Sequence, residues 1–469
     1  MSKIIEALPP PPLYYHAQDT SYWRRDESGR WIRVNDTSAK CFVVEYGYHG
    51  TATETGANSE SSRCLMKIQS TRNVAYIGPL AGYPTGVYSM NGRHVLVTES
   101  PSFIEAQSGE WPTLKRLFDG LFIHDDVDQL PYFYGWLQSA MESFRLRRWK
   151  SSQLLALAGP VSCGKSLTQN LITTMFGSRS SQPYSFMMGR TDFNSHLFRG
   201  EHLMLEDEAE NSRYENRRHF AANIKKLLCN RDQYVHGKNK EAATLQPIWR
   251  MSLSLNDDPE ALQVLPPFDS DVHDKIIALR VKPAANELKS SLGMDEDQFW
   301  KLLVNELPAF LHYVEHEFEV PAELRDVRYG IRAFQHPDLV EKIQETAPQM
   351  KLIELVDAEL FRHERNLGGW EGTASQLAQA LTQENRDSSY EARKLLSGTN
   401  TVGRYLARLK ESDAEHVAGR VTSRKLHGNT RWHIAPPTWL VTPQAPAAPV
   451  PVTTASPVQL PKPPASLVG

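Results

Sequence analysis

The stretch Leu154–Ser166, reading LLALAGPVSCGKS, constrains the fold more than any other part of this chain. Five small or aliphatic residues, Leu154 to Ala158, have the character of a fully buried β-strand. Gly159 then opens GPVSCGKS, which matches G-x-x-x-x-G-K-[ST] at every fixed position. Glycine at 159 and 164 lets the backbone close around a phosphate chain with successive N–H groups turned inward. Lys165 is spaced to reach β- and γ-phosphates, and Ser166 to offer its hydroxyl to Mg²⁺. A helix from about Lys165 to Gly177 would set its positive end against the anion. Strand, loop and helix arrive in the required order, so a chance glycine-rich turn is the poorer reading. The expected ligand is a nucleoside triphosphate, ATP with Mg²⁺. It would be held by Gly159, Pro160, Val161, Ser162, Cys163, Gly164, Lys165, Ser166 and Leu167.

The 469-residue chain has room for about three domains. A net charge of −3 argues against a uniformly basic nucleic-acid coat but leaves room for a local basic face. No apolar run approaches the ~18 residues of a membrane span, and the N-terminus lacks the h-region of a signal peptide. Cys41, Cys64, Cys163 and Cys229 show no C-x-x-C spacing, which excludes a zinc module and fits reduced thiols. A cytoplasmic protein with no membrane partner is expected.

Residues 1–125 read as a β-rich N-terminal module, with Trp23, Trp31, Val34 and Phe42–Val44 in short apolar segments broken by turns. Within LFIHDDVD, Asp125 and Asp126 resemble a polymerase metal pair. They are better read as caps for the helix that follows. Residues 126–150 form a helical linker ending in the basic RLRRWK. Residues 151–285 form the P-loop core and 286–345 a helical segment.

Beyond the phosphate loop, HLMLEDEAE (His202 to Glu210) is a short apolar strand ending in acids. One carboxylate there can hold hydrated Mg²⁺ while the next polarises water against the γ-phosphate. Asp207 is assigned to the metal and Glu208 to the base, with Glu206 as the alternative metal ligand. IWRMSLSLNDDP is another buried strand, placing Asn256 to orient the hydrolytic water. A cationic finger toward a neighbouring subunit's nucleotide is assigned to Arg280, with Lys275 and Arg250 as alternatives. Between these strands, HGKNK has the look of a hairpin tip. Its Lys238 and Lys240, near Tyr234 and His236, suit tracking along single-stranded DNA.

The ordered set GPVSCGKS, TDFNSHLFRGEHLMLEDEAE, HGKNK and SLSLNDDP resembles the superfamily 3 helicases. It is most similar to the ATPase part of phage-, plasmid- and poxvirus-type primase–helicases, with flanks YIGPLAGYPTG and IRAFQHPDL also similar. The resemblance covers residues 76 to 435. It implies an α/β, AAA+-type core assembled as a ring, commonly hexameric, translocating 3′ to 5′ on single-stranded DNA. By it, Lys165 and Ser166 take the phosphate-loop roles, Asp207 and Glu208 the acidic motif, and Asn256 the sensor. No primase half is recognisable, so priming would fall to a separate primase.

Residues 346–435 have the outline of a winged helix: KLIELVDAELF, then a helix capped by Thr373, then NTVGRYLARLKE, then a hairpin turning at Gly428-Asn429. Arg404, Arg408, Arg424 and Lys425 would meet DNA phosphates. Residues 436–469 form a Pro-rich tail with a disordered composition. The function expected is an ATP-dependent ring helicase of a phage or mobile-element replication system, acting on single-stranded and fork DNA. The alternative is a DNA-binding AAA+ switch (an initiator, loader or defence component) without unwinding. A small-molecule kinase is disfavoured, because it needs an acceptor pocket and lid rather than a sensor strand and a basic winged helix.

Overall fold

The computed structural model describes residues 11–52, 57–124, 127–206, 214–237, 243–266, 272–345, 348–362, 368–384, 386, 388–396, 400–412, 417–426 and 428–438. They fall into two compact units, Met1–Thr346 and Ala347–Gly469.

An all-parallel five-stranded sheet organises the first unit. Its order is Ser180–Ser181, His202–Leu205, Arg250–Leu255, Leu154–Ala158, Ile276–Arg280. Every residue of the three middle strands is buried, as a sheet covered on both faces requires. Alternation along the Leu154 strand divides the core. Leu155 and Leu157 pack with Phe118, Phe133, Leu171 and Phe310. Leu154, Ala156 and Ala158 pack with Phe198, Leu203, Phe220 and Leu253. Register then aligns the functional ends. Ala158 pairs with Leu255 on one side and with Arg280 on the other, and Leu205 pairs with Leu253. Because the strands are parallel, Gly159, Glu206 and Asn256 all leave the sheet at the same edge.

Helix Leu130–Arg145 corrects the expected linker. Phe133, Leu137, Ala140, Met141 and Phe144 are all buried in the core shared with the sheet. Its first turn is held by Asp128, whose Oδ1 accepts from the Leu130 N–H at 2.9 Å. The capping assigned to Asp125 and Asp126 lies outside the described residues. Helix Pro112–Phe122 is capped from a distance: Thr113 and Leu114 N–H donate to the Glu306 carboxylate at 3.2 and 2.8 Å. Glu306 sits on helix Glu296–His312.

The N-terminal module is mixed rather than β-rich. A three-stranded antiparallel sheet (Tyr14–His16, Ser21–Arg25, Trp31–Val34) is followed by helices Asp36–Glu45 and Glu60–Thr71. Asn35 and Ser59 cap these helices by accepting from the N–H groups of Ser38 and Ser62. A second three-stranded sheet follows, Val74–Gly78, Gly86–Met90 and Arg93–Val97. The GPLAG turn between its strands is a docking seam. Ala81 N–H donates to Phe198 O at 2.8 Å and Ile248 N–H to Ala81 O at 2.9 Å. At Gly82 (φ +83) a Cβ would lie 2.5 Å from that of Ile248, so only glycine fits.

The second unit has its own core, including Leu352, Phe361, Leu377, Leu406, Leu409 and Trp432. Helices Pro348–Val356, Ala374–Leu381 and Thr401–Lys410 precede the hairpin Val421–Leu426/Asn429–Ile434. Thr373 caps its helix in a full capping box with Gln376, and Gly428 turns the hairpin with φ +82. Two elements depart from the expected outline. A further helix, Ser389–Leu395, stands before Thr401–Lys410, and Trp370–Gly372 adds a third strand beside the hairpin. No helix among the described residues is long and apolar enough to cross a membrane.

Candidate nucleotide site and the strands around it

The turn after Ala158 takes its shape from left-handed backbone at Ser162 (φ +60) and Gly164 (φ +116). Both fixed glycines are enforced by close approach. A Cβ on Gly159 would stand 2.3 Å from Val281 O, and one on Gly164 would stand 2.9 Å from the Ala285 Cβ. Helix Lys165–Met175 begins immediately, with Ser166 exposed, so its free N–H groups and the Ser166 hydroxyl face a cleft of about 240 Å³. Ser162 to Leu167 form one wall, and Ala285, Asn286, Lys289, Glu296 and Phe299 the other. Asn286 Nδ2 donates to Ser162 O at 3.1 Å and steadies the loop. Pro160 and Val161 are exposed at its tip. Glycine cradle, helix start and free hydroxyl fit a phosphate chain with its Mg²⁺.

Lys165 is folded back onto the loop. Its Nζ donates to Gly159 O and Pro160 O, both at 2.7 Å, and to Asn256 Oδ1 at 3.4 Å. Two residues assigned to one site from distant parts of the sequence are therefore in contact. Cys163 Sγ lies 3.8 Å from the same ammonium. Burial pushes its thiol above the ordinary 9.0, with Lys165 opposing the rise.

Glu206 is exposed at the tip of its strand, at the same edge. Asp207 and Glu208 lie outside the described residues, as do Lys238 and Lys240. Arg280 ends its strand at the phosphate-loop edge, where its guanidinium pairs with Asp338. Its backbone N–H and C=O are both bonded to the Gln129 amide, each at 2.9 Å. Lys275 precedes the same strand, at the opposite edge of the sheet, and pairs with Asp274 at 2.5 Å. Arg250 is corrected as a finger candidate. It is 2% exposed and spends its guanidinium inside the subunit, on Trp249 O (2.9 Å), Ser139 O (3.0 Å) and Ser143 Oγ (2.7 Å). Burial lowers its pKa to about 10, so it is still a cation at neutral pH.

Strands Gln233–Val235 and Ala243–Leu245 pair antiparallel, giving the base of the expected hairpin. Asn194 fixes this base. It is 3% exposed, its Nδ2 donates to Tyr234 O at 2.8 Å, and its Oδ1 accepts from the His236 N–H at 2.7 Å. The neighbouring Phe193, 45% exposed, lies 5.3 Å from the His236 ring, and Tyr234 is 64% exposed. Phe193 and Asn194 are not among the candidate residues that the sequence points to. The only signal for them is the polar-aromatic text TDFN before a buried strand.

In the second unit Arg404 and Arg408 are exposed on helix Thr401–Lys410, and Arg424 and Lys425 are exposed on the hairpin. Arg424 donates to Glu371 Oε1 at 2.5 Å, and Arg431 approaches the same oxygen at 3.8 Å.

A parallel α/β sheet holding a G-x-x-x-x-G-K-S loop at its C-terminal edge defines the class, the fold of a P-loop ATPase core. Among solved structures the chain is similar to the apo NrS-1 C terminal region (305-718). The TM-score is 0.51 at 13% identity, covering 90% of this chain and 95% of that one. The A form of that region gives 0.49 at 13% identity, over 90% and 96%. A JCV Helicase structure with a thiazolopyridine acetamide bound aligns over 53% of this chain and 70% of that one, at 15% identity. Its TM-score is 0.24. At 13% identity the likeness to the NrS-1 region is one of fold. No protein-family model matches the chain, and no curated protein does.

Proposed function

We propose that the chain is an ATP-driven DNA helicase that assembles as a ring, hexameric in the simplest case, and moves along single-stranded DNA. The system would be the replication of a phage or other mobile element, with a separate primase. The observation that carries this reading is the 3.4 Å contact between Lys165 Nζ and Asn256 Oδ1. The contact joins Lys165 to the amide of Asn256, the sensor in this reading, which follows the strand between the phosphate-loop strand and the acidic strand. That AAA+-like order suits a protein that must report its nucleotide state to distant parts.

In this reading Lys165 neutralises the β- and γ-phosphates, and Ser166 with Asp207 holds Mg²⁺. Glu208 polarises the attacking water, which Asn256 orients. Arg280 exchanges its Asp338 partner for a neighbouring subunit's nucleotide. The hairpin carrying Lys238 and Lys240 tracks the DNA backbone, with Phe193 and His236 as a stacking surface for bases. Arg404, Arg408, Arg424 and Lys425 hold phosphates at the fork. The test is strand displacement on a forked duplex, with Lys165→Ala as the inactive control. ATP-dependent displacement supports the reading. ATP hydrolysis without displacement on any fork would make the chain an AAA+ switch instead.

A further inference from the structure

Four polar side chains join the helix behind the phosphate loop to the two strands beside it. Gln169 and Thr173 stand one turn apart on helix Lys165–Met175, His202 opens the acidic strand, and Ser252 lies within the Asn256 strand. Gln169 Nε2 donates to Leu205 O at 3.0 Å and to Ser252 Oγ at 2.8 Å. Ser252 Oγ lies 2.7 Å from His202 Nε2, and His202 Nδ1 lies 2.7 Å from Thr173 Oγ1. Thr173 Oγ1 donates to Gln169 O at 3.1 Å, which closes a ring. Gln169, His202 and Ser252 are fully buried.

Donor accounting gives the ring one sense. The Thr173 proton is committed to Gln169 O, so His202 Nδ1 must carry a hydrogen and donate to Thr173. His202 Nε2 then accepts from the Ser252 hydroxyl, whose lone pair receives the Gln169 amide. The imidazole is neutral, since burial pushes its pKa down to about 3. One acceptor, Gln169 Oε1, is buried without a hydrogen-bond partner among the described residues. An apolar layer would avoid that cost, so packing alone is a poor reason for this amide.

Its position supplies a better one. Gln169 is three residues after Ser166, on the same side of the helix. The carbonyl it holds belongs to Leu205, immediately before the acidic residues. We infer that Gln169 is a positioning residue for ATP hydrolysis. Its amide fixes the distance between the metal-binding Ser166 and the acidic strand tip, and Ser252 carries the same constraint to the Asn256 strand. The Thr173–His202 half of the ring serves stability. This inference rests on the ATPase reading above.

The experiment measures, on the full chain, steady-state ATP hydrolysis, the Mg²⁺ concentration for half-maximal rate, fluorescent-ADP affinity without metal, and melting temperature. Gln169→Leu keeps the side-chain bulk but removes both donated bonds. It should lower kcat about 10–100-fold, the range expected for a misplacement near 1 Å, and raise the half-maximal Mg²⁺ several-fold. Metal-free ADP affinity should stay within about twofold, because the phosphate loop itself is unchanged. Ser252→Ala, which leaves the Gln169 bond to Leu205 O in place, should shift the same parameters in the same direction by a smaller factor. It keeps the question answerable if Gln169→Leu does not fold. Thr173→Val leaves Gln169 on Leu205, so it should lower the melting temperature yet hold kcat within about threefold. If kcat followed melting temperature across all three variants, or if Gln169→Leu and Ser252→Ala kept wild-type kcat and Mg²⁺ dependence, the positioning role would be overturned. A wild-type chain that hydrolyses no nucleotide would instead overturn the ATPase reading.

Discussion

Removing Arg179 should reveal how strongly the N-terminal half is fastened to the sheet, and the effect should depend on pH. Glu201 is 0% exposed, and its carboxylate accepts from the Gly82 N–H at 2.7 Å and from Arg179 Nε at 2.9 Å. Arg179 Nη2 closes a second bond to the same carboxylate, while the guanidinium also reaches Glu99 O and Leu80 O at 3.3 and 3.4 Å. Burial raises the Glu201 pKa above its ordinary 4.5, with Arg179 pulling the other way. Arg179→Met deletes the opposing charge and leaves a buried carboxylate with backbone N–H partners alone, those of Gly82 and of Glu201 itself. Breaking one side of a buried ion pair costs about 3–5 kcal/mol. For a unit of this size that corresponds to a melting shift on the order of 5–10 °C.

The sign follows from linkage. A carboxylate whose folded pKa lies above its unfolded value destabilises the fold as pH rises from the unfolded pKa through the folded one, by up to about 1.4 kcal/mol per pH unit. Arg179→Met moves the folded pKa further up and widens that window. The variant's deficit against wild type should therefore be largest at pH 8 and shrink at pH 5.5. Adding Glu201→Gln, which cannot ionise, should restore most of the loss at pH 8. Thermal unfolding of the three proteins at both pH values is the assay. A deficit below about 1 kcal/mol at pH 8, or one equal at both pH values, would show that Arg179 does not hold the buried Glu201 charge.

Lys165→Ala should abolish ATP binding in a fluorescent-nucleotide titration, whereas Glu208→Gln should bind ATP and hydrolyse it at least about 100-fold more slowly. If Glu206→Gln or Asp207→Asn stopped hydrolysis while Glu208→Gln did not, the assignment of the acids would be shifted by one or two residues. Arg404→Ala with Arg408→Ala should weaken binding to fork DNA and flatten its dependence on salt. Each lost phosphate contact should remove about one unit from the log–log slope.

The core was readable where one residue type has one use. LLALA has no polar position to place in water, and the glycines at 159 and 164 are each fixed by a backbone or Cβ approach that no side chain survives. Thr373 and Gly428 were equally legible, as a cap and a turn. Arg250 was not. Nothing in IWRMSLSL reveals that Ser139 and Ser143, from a helix more than a hundred positions earlier, arrive to receive its guanidinium. Phe42, Val43 and Val44 have strand propensity, yet they lie in a helix because Asn35 caps it and Val43 finds a core with Leu13, Leu65 and Ile68. Tertiary packing overrode local preference there. Helix Ser389–Leu395 escaped notice because it buries only Ala392 and so shows little hydrophobic period. At the site, the loop and Asn256 were legible because each ends a buried strand. The Phe193–Asn194–His236 cluster was not, since only the fold brings the hairpin base to that loop.

In the proposed function, nucleotide turnover is coupled to single-stranded DNA through the hairpin. This coupling is tested most directly by ATP hydrolysis rates with and without single-stranded DNA, for wild type and for Lys238→Ala with Lys240→Ala. Wild type should be stimulated severalfold by DNA, and the double variant should keep the basal rate but lose the stimulation. Full stimulation in the variant, or none in wild type, would rule out that coupling.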